Sequence, residues 1–259
     1  ATPAKLKAAM RLCGFADVVE VAIGADLCTI EEAKDFLENV PANQPFMGTS
    51  CCPAWSVMAK KLFPEFKDYI SMALTPMVIT ARLVKKRHPD ARICFIGPCA
   101  AKKLEANRKS VRSDVDYVLT FEELQGMFDA KDIDFSQLSE DPADDFTVGT
   151  GAGRGFAVVG GVAAAVVEAA KELDPDREIL TEFGDGLKEC KKMLMMARAG
   201  KRNGYLLEGM ACPGGCVAGA GTITPVKDAA AAVQRYKDAA AIHGALESPL
   251  KDRLKEAEE

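Results

Sequence analysis

The sequence predicts an α/β fold of two lobes, with largely parallel sheets flanked by helices. Two observations support this prediction. Segments with strand character alternate with segments of helical character along the 259 residues, which is typical of parallel sheets. Cysteine motifs follow the ends of predicted strands, where parallel sheets place their binding sites. We expect lobes at about residues 1–110 and 111–225, and a helical segment at 226–259.

The sequence of the first third of the chain predicts several helices, with one strand between the first two. A helix over Lys5–Cys13 ends at Gly14, and the apolar segment Asp17–Ile23 predicts a strand. Thr29 predicts the N-cap of the next helix, because Glu32 three residues later completes a capping box. Two further helices are predicted over residues 53–62 and 77–86.

The middle and end of the chain continue the alternation. Short apolar strands are predicted over residues 92–96, 115–119 and 205–207. Thr120 predicts a helix N-cap, with Glu123 as its capping-box partner. Residues 139–145 are acidic and contain Pro142, which predicts a loop.

A glycine-rich segment at residues 151–161 leads into an alanine- and valine-rich helix that ends near Leu173. The glycines resemble a phosphate-binding loop, but no hydrophobic strand precedes them, and such a pattern alone is weak. We therefore favour close backbone packing near a metal site. The chain is again helical from Val226 onward.

Composition excludes several classes of function. The net charge is −5 and no basic block occurs, so nucleic acid is not an expected partner. No apolar run approaches the ~18 residues of a membrane span, so no membrane association is expected. Nine unevenly spaced cysteines do not resemble a secreted disulfide framework. They favour a reducing, cytoplasmic setting with metal-binding or catalytic thiols.

Three short segments carry the chemistry of this chain. They read TSCCPAW at Thr49–Trp55, GPCAAKKLE at Gly97–Glu105 and EGMACPGGC at Glu208–Cys216. Four of their thiols suit one 4Fe–4S cluster, which is usually held by four cysteines: Cys52, Cys99, Cys212 and Cys216. Zinc is the alternative, but zinc sites usually use two close cysteine pairs, whereas these ligands come as single, single and pair.

Other residues near these motifs allow more than one interpretation. Cys51 is a thiol beside the first ligand that a structural cluster does not need. Lys102, three residues after a ligand, requires an anionic partner if it is buried. The carboxylates of Glu32 and Asp35 either complement a helix dipole or serve the site. The remaining cysteines are interpreted as ordinary buried thiols: Cys13, Cys28, Cys94 and Cys190.

Together the three segments resemble the active-site motifs of the iron-only (FeFe) hydrogenases, TSCCPxW, PCxxKxxE and ExMACxxGC. The resemblance extends to Gly24–Leu27, Gly151–Gly153 and Gly160–Val162. It implies a catalytic H-cluster domain with the metal cofactor between the lobes. That cofactor is a 4Fe–4S cluster joined by one cysteine sulfur to a diiron subcluster bearing CO, cyanide and azadithiolate ligands.

The resemblance also implies a role for each matching residue. The four cysteines named above ligate the 4Fe–4S cubane, and Cys216 bridges to the diiron unit. Lys102 hydrogen-bonds a cyanide ligand, and Glu105 serves structure or a side path. A proton relay is implied at Cys51, Glu32, Ser71 and Asp35. The diiron pocket is implied to be lined by Pro98, Phe156 and Met210.

The implied function is reversible reduction of protons to dihydrogen, with electrons from a ferredoxin-like donor or an accessory iron–sulfur domain. Gly97, where prototypical members have Met, and the sequence Val217–Gly221 resemble the group B branch of the family. Two alternatives stay open: a hydrogen-sensing module with little turnover, and a non-enzymatic iron–sulfur assembly protein of the related family.

Overall fold

The structure is a computed structural model, and it describes residues 2–141 and 148–258. Its helices are α1 (Pro3–Leu12), α2 (Ala22–Asn39), α3 (Pro53–Leu62), α4 (Pro76–Arg87), α5 (Ala101–Ala106), α6 (Phe121–Ala130), α7 (Gly151–Gly155), α8 (Gly161–Leu173), α9 (Leu187–Arg198), α10 (Val226–Asp238) and α11 (Leu254–Glu258). Its strands are β1 (Phe46–Gly48), β2 (Cys94–Ile96), β3 (Tyr117–Leu119), β4 (Leu180–Asp185) and β5 (Tyr205–Met210). Short 3₁₀ turns occupy Pro64–Tyr69, Cys216–Ala218, Ala245–Glu247 and Lys251–Arg253.

The strands of the described residues form two parallel sheets. One has the order β1-β5-β4 and the other pairs β2 with β3. Helices flank both sheets, so the predicted α/β class is confirmed. Each sheet combines strands from both sides of residue 110, where the sequence analysis divides the lobes. That division of the chain stays a prediction.

Helix α2 corrects two expectations. Ala22–Asn39 is one continuous helix, so the strand predicted over Asp17–Ile23 and the N-cap predicted at Thr29 are both wrong. The Thr29 hydroxyl instead donates to the Ala25 carbonyl, 2.9 Å away, as it does in helix interiors. Because this helix packs against α4, α7 and α8, it is apolar on several faces and its start resembles a strand.

Most other elements match their predictions. The helix over residues 53–62 and the Thr120–Glu123 capping box are confirmed, with box hydrogen bonds of 3.2 and 2.7 Å. Strands β1 and β4 and helix α9 were not predicted. Residues 142–145 of the predicted loop lie outside the described residues. Beyond α10, only Leu254–Glu258 is α-helical, so the C-terminal helix is shorter than predicted.

The glycine-rich segment packs closely against α2, which fits the expected backbone packing better than a phosphate-binding loop. Asp26 on α2 is fully buried and accepts hydrogen bonds from the Thr150 and Gly153 amides, each 2.9 Å away. A Cβ on Gly153 would lie 2.4 Å from both the Asp26 carboxylate and the Ala22 carbonyl. A buried carboxylate therefore occupies the N-terminus of α7, where the helix dipole favours it.

Glu208 on β5 likewise places a buried carboxylate at the N-terminus of α8. Its two carboxylate oxygens accept from the amides of Gly160 and Ala163, each 2.7 Å away, although the side chain is fully buried. This links the strand that runs into the third cysteine motif to the helix beside it. Among the described residues, no helix combines the length and apolar composition needed to cross a bilayer.

Candidate metal centre

Three segments of the fold carry the four cysteines of the predicted cluster. Cys52 is the N-cap of α3, and Cys99 lies between β2 and α5. Cys212 and Cys216 follow β5. Burial, together with the neighbouring Cys52 and Cys99, raises the pKa of Cys216 to about 12. Burial and the same two thiols also raise the pKa of Cys212, so all four sulfurs share one region.

In the described part of the chain, the four thiols are not arranged around a single metal ion. Within residues 2–141 and 148–258, no group of three or more His, Cys, Asp or Glu side chains is arranged around one metal ion. Zinc would draw four sulfurs to about 2.3 Å from a common centre. All nine cysteines are free thiols, so the four remain available as ligands. A bound cation would reverse the raised pKa values by favouring the thiolates.

Backbone packing at glycines holds the three motifs together. A Cβ on Gly209 would lie 2.0 Å from the Trp55 ring, which joins the third motif to the first. A Cβ on Gly219 would lie 2.3 Å from the Pro98 carbonyl, which joins the third motif to the second. Gly215 has φ +98° and lies against Ala157 and Val159, so larger residues are excluded there too. The ligand loops therefore form a closely packed cradle.

A buried ion pair lies beside this cradle. The Lys102 ammonium donates to the Glu105 carboxylate at 2.7 Å and to the Cys51 carbonyl at 3.2 Å. The other Glu105 oxygen accepts from the Thr75 hydroxyl at 2.6 Å. Burial opposes the charge on Lys102, but the Glu105 carboxylate outweighs it and raises the pKa of Lys102. Glu105 is thus the anionic partner that a buried Lys102 requires.

Glu32 is a buried carboxyl with one free oxygen. Its Oε1 atom accepts from the Ser50 amide at 2.9 Å and from the Ser50 hydroxyl at 3.2 Å, whereas Oε2 accepts no hydrogen bond. Burial raises the pKa of Glu32 to about 7, although the hydroxyls of Ser50 and Ser71 partly oppose the shift. This carboxyl can therefore gain and lose a proton near neutral pH.

The four residues of the predicted proton relay differ in how deeply they are buried. Burial, followed by the nearby Glu32 carboxylate, raises the pKa of Cys51, which places the thiol beside Glu32. Ser71 is buried and influences the same carboxyl. Asp35 lies one helical turn beyond Glu32, half-buried, and accepts from Asn39 at 2.7 Å. Cys51 is thus influenced by Glu32 and Glu32 by Ser71, while Asp35 lies nearer the surface, and their role as a relay stays a prediction.

Two residues of this region were not assigned from sequence. Ser50 holds Glu32 in place, and it was visible only as a member of the first motif. Cys28 is fully buried one turn before Glu32 on α2, as expected for a core thiol. Burial and Glu32 raise its pKa, and it is an electrostatic neighbour of Cys51. Cys28 and Glu32 are four residues apart, so they lie on the same face of a helix that contains both. The sequence indicates this proximity only if α2 begins before Thr29, as it does in the structure.

Two of the three predicted pocket residues belong to the core cluster that contacts the first cysteine motif. Met210 ends β5 and Phe156 follows α7; both are buried in the core cluster against which Cys51 and Cys52 pack. The Pro98 carbonyl accepts from the Gly221 amide at 3.0 Å. At Gly97, the position that a Cβ would take lies 2.9 Å from the Phe95 ring.

The chain belongs to the family described as "Iron only hydrogenase large subunit, C-terminal domain", whose model matches residues 1–220. It is 30% identical over 258 residues to iron hydrogenase 1 of Clostridium pasteurianum, an alignment that covers 84% of this chain and 45% of that protein. It is also 29% identical over 258 residues to a probable cytosolic Fe-S cluster assembly factor of Aedes aegypti, covering 80% and 54%. The chain therefore spans about half the length of these curated relatives.

Solved structures share the fold. An apo variant of the [FeFe]-hydrogenase HydA1 from Chlamydomonas reinhardtii superposes with a TM-score of 0.80 at 25% identity. That match covers 98% of this chain and 82% of the algal one. The fold and the family are thus shared with hydrogenases, and the family is shared with assembly factors.

The raised pKa of Glu32 predicts a pH-dependent stability. A carboxyl whose pKa is about 7 when folded and 4.5 when unfolded stabilises the fold below pH 4.5, and this contribution is lost as the pH rises through 7. Glu32→Gln removes the titration. We expect the variant to gain about 3 kcal/mol relative to the parent between pH 4.5 and 7.5. Urea unfolding of the metal-free proteins measures this, with exposed Glu38→Gln as the control. Parallel pH profiles for parent and variant would contradict it.

The Lys102–Glu105 pair predicts a non-additive double-mutant cycle. Glu105→Ala leaves an ammonium buried without its carboxylate, so we expect the free energy of unfolding to fall by roughly 3–5 kcal/mol. The double variant Lys102→Met, Glu105→Ala removes both charges and should recover most of that loss. Urea unfolding of the four metal-free proteins completes the cycle. A double variant as unstable as the sum of the two single variants would show that the pair is not coupled.

Proposed function

We propose that this chain is the catalytic domain of an FeFe hydrogenase that reversibly reduces protons to dihydrogen. Cys52, Cys99, Cys212 and Cys216 would hold a 4Fe–4S cubane, and Cys216 would bridge it to a diiron subcluster bearing CO, cyanide and azadithiolate. When bound, this H-cluster supplies the electron storage and the site of dihydrogen chemistry. The observation that supports the proposal is that Cys51, a thiol outside the four proposed ligands, is influenced electrostatically by Glu32, a buried carboxyl of near-neutral pKa, and also by Cys52 and Cys216.

The residues around that thiol form a path for protons. Cys51 exchanges a proton with the site on one side and with Glu32 on the other. Glu32 is suited to this step because its pKa is close to the working pH, which is the optimum for a general acid–base group. Ser71, which follows the 3₁₀ turn Pro64–Tyr69, and Asp35 on α2 would extend the path toward the surface. A structural cluster alone would have no use for such a chain of titratable groups.

Lys102 is suited to hold an anionic ligand of the cofactor. An ammonium carries three N–H donors, and two of them are used by Glu105 and by the Cys51 carbonyl. The third is available to a cyanide of the diiron unit. Glu105 positions the ammonium through its bonds to Lys102 and Thr75. The buried side chains of Phe156 and Met210, with the partly buried Pro98, would line the cofactor pocket.

The assembly-factor relatives make a non-enzymatic iron–sulfur protein the alternative. Cys51, Lys102 and Glu105 favour the hydrogenase, because a cubane-only protein requires neither a fifth thiol nor a cation for cyanide. A hydrogen-sensing module would keep the same residues and differ only in turnover. The working setting we propose is cytoplasmic, with electrons from a ferredoxin-like donor or an accessory iron–sulfur domain, and with protons and dihydrogen as reactants.

The decisive experiment loads the protein with iron, sulfide and a synthetic diiron complex. We expect infrared bands of CO and cyanide and dihydrogen evolution from reduced viologen. Cys51→Ser should keep the bands but lose at least about a hundredfold in rate, because a hydroxyl relays protons poorly. Cys13→Ser, remote from the site at the end of α1, is the matched thiol control.

Each outcome separates the candidate functions. Absence of CO and cyanide bands would favour an assembly-type protein, and bands without turnover would favour a sensing module. A fully loaded Cys51→Ser protein that evolves dihydrogen at the parent rate would refute the relay.

A further inference from the structure

A group of cations surrounds the C-terminal end of α5, on a chain whose net charge is −5. It consists of Lys60 on α3 and of Lys103, Arg108, Lys109 and Arg112 in and after α5. Lys103 pairs with Glu123 at 2.5 Å. Within the part of the chain that the structure describes, Arg108, Lys109 and Arg112 form no ion pair. Glu123 compensates Lys103 and Asp68 acts on Lys60, so the uncompensated positive charge of this group lies at Arg108, Lys109 and Arg112.

Two of these cations repel one another. Burial, and then the Arg108 guanidinium, lower the pKa of Lys60, although the Asp68 carboxylate partly opposes the shift. The Lys60 ammonium lies 3.7 Å from the sulfur of Met72, a weak acceptor. A carboxylate supplied from outside would relieve the repulsion and give the ammonium a stronger partner.

The same region exposes unusual apolar surface. Met72, Leu104 and Tyr117 are 77%, 75% and 62% exposed, more than any other large hydrophobic residue in the described ranges. Leu104 lies one turn before Arg108, and Met72 contacts Lys60. Tyr117, Lys103 and Arg112 line a cavity of about 270 Å³ together with Asp116, whose carboxylate is paired with Lys85 and Arg92. We call this set, cations and apolar residues together, the α5 face. Apolar groups rimmed by like charges are typical of protein interaction sites.

The α5 face adjoins the candidate metal centre through two helices. Helix α3 starts immediately after Cys52, and Lys60 lies eight residues on, about 12 Å along the helix axis. Helix α5 starts two residues after Cys99, and Leu104 is only five residues from that ligand. A protein bound to the face would therefore lie close to two of the four cysteines.

We propose that the α5 face is the docking site of an acidic protein electron carrier. The inference rests on the proposed function, since it names the surface through which electrons reach the cubane. Carboxylates of the carrier would pair with Arg108, Arg112 and Lys60, and its apolar rim would cover Leu104 and Met72. Each docking oxidises the carrier by one electron and reduces the cubane by one. Two dockings and two protons balance one dihydrogen.

The test reverses the charge of the face and measures both binding and turnover. The variant is Arg108→Glu with Arg112→Glu, and the matched control is Lys171→Glu with Lys251→Glu, two exposed lysines of α8 and the C-terminal segment. Binding of an acidic ferredoxin is followed by calorimetry at several salt concentrations. Dihydrogen evolution is then driven either by the same ferredoxin or by reduced methyl viologen.

We expect the variant to bind ferredoxin at least about tenfold more weakly and to lose most of the salt dependence, because charges at an interface rim set both. Its viologen-driven rate should be unchanged, and the control should match the parent. Ferredoxin binding that survives the reversal, or falls equally in the control, would overturn the proposal. So would a parent that binds anionic vesicles or DNA but no ferredoxin. Absence of viologen-driven turnover in the parent would refute the proposed hydrogenase function, while the calorimetry would still decide the docking site.

Discussion

Three separate chain segments must bring four sulfurs to one place, and the rest of the structure depends on this convergence. Parallel strands β2 and β5 deliver two of the segments at their carboxyl ends, and Cys52 starts α3. Glycines then allow backbone to lie on backbone or ring, as at Gly209 against Trp55 and Gly219 against Pro98. Larger side chains at these positions would push the motifs apart, and the proposed ligands could then no longer reach one cluster.

Burial of several thiols in one region disfavours their ionised form, and the surrounding residues compensate for this only in part. Buried thiols resist ionisation, and their raised pKa values show that no protein cation fully compensates them. Lys102 is fixed nearby, but Glu105 neutralises it. A bound cluster would supply the missing positive charge. Glu32 lies just outside this region, where burial leaves its carboxyl poised near neutrality instead of fully ionised. The proton path and the ligand cradle are therefore products of the same burial.

Part of this arrangement was predictable from sequence because the capping signals are local, whereas the ligand set stays a prediction from the motifs. Thr120 with Glu123 and the helix after Cys52 are examples. Helix α2 was not predictable in the same way, since its burial on several faces removes the amphipathic pattern and Thr29 imitates a cap. Consequently Glu32 was expected in a first helical turn, whereas it lies in a helix interior. The partnership of Ser50 with Glu32 depends on tertiary packing, which no local pattern encodes.

The proposed ligand set, four cysteines from three motifs, is tested by reconstituting the metal-free protein with iron and sulfide, without any diiron complex. We expect about four irons and four sulfides per chain and an electron paramagnetic resonance signal of one reduced 4Fe–4S cluster, lost in Cys99→Ala but kept in Cys94→Ala. A single tightly bound zinc per chain, or a cluster signal that survives Cys99→Ala, would exclude this ligand set.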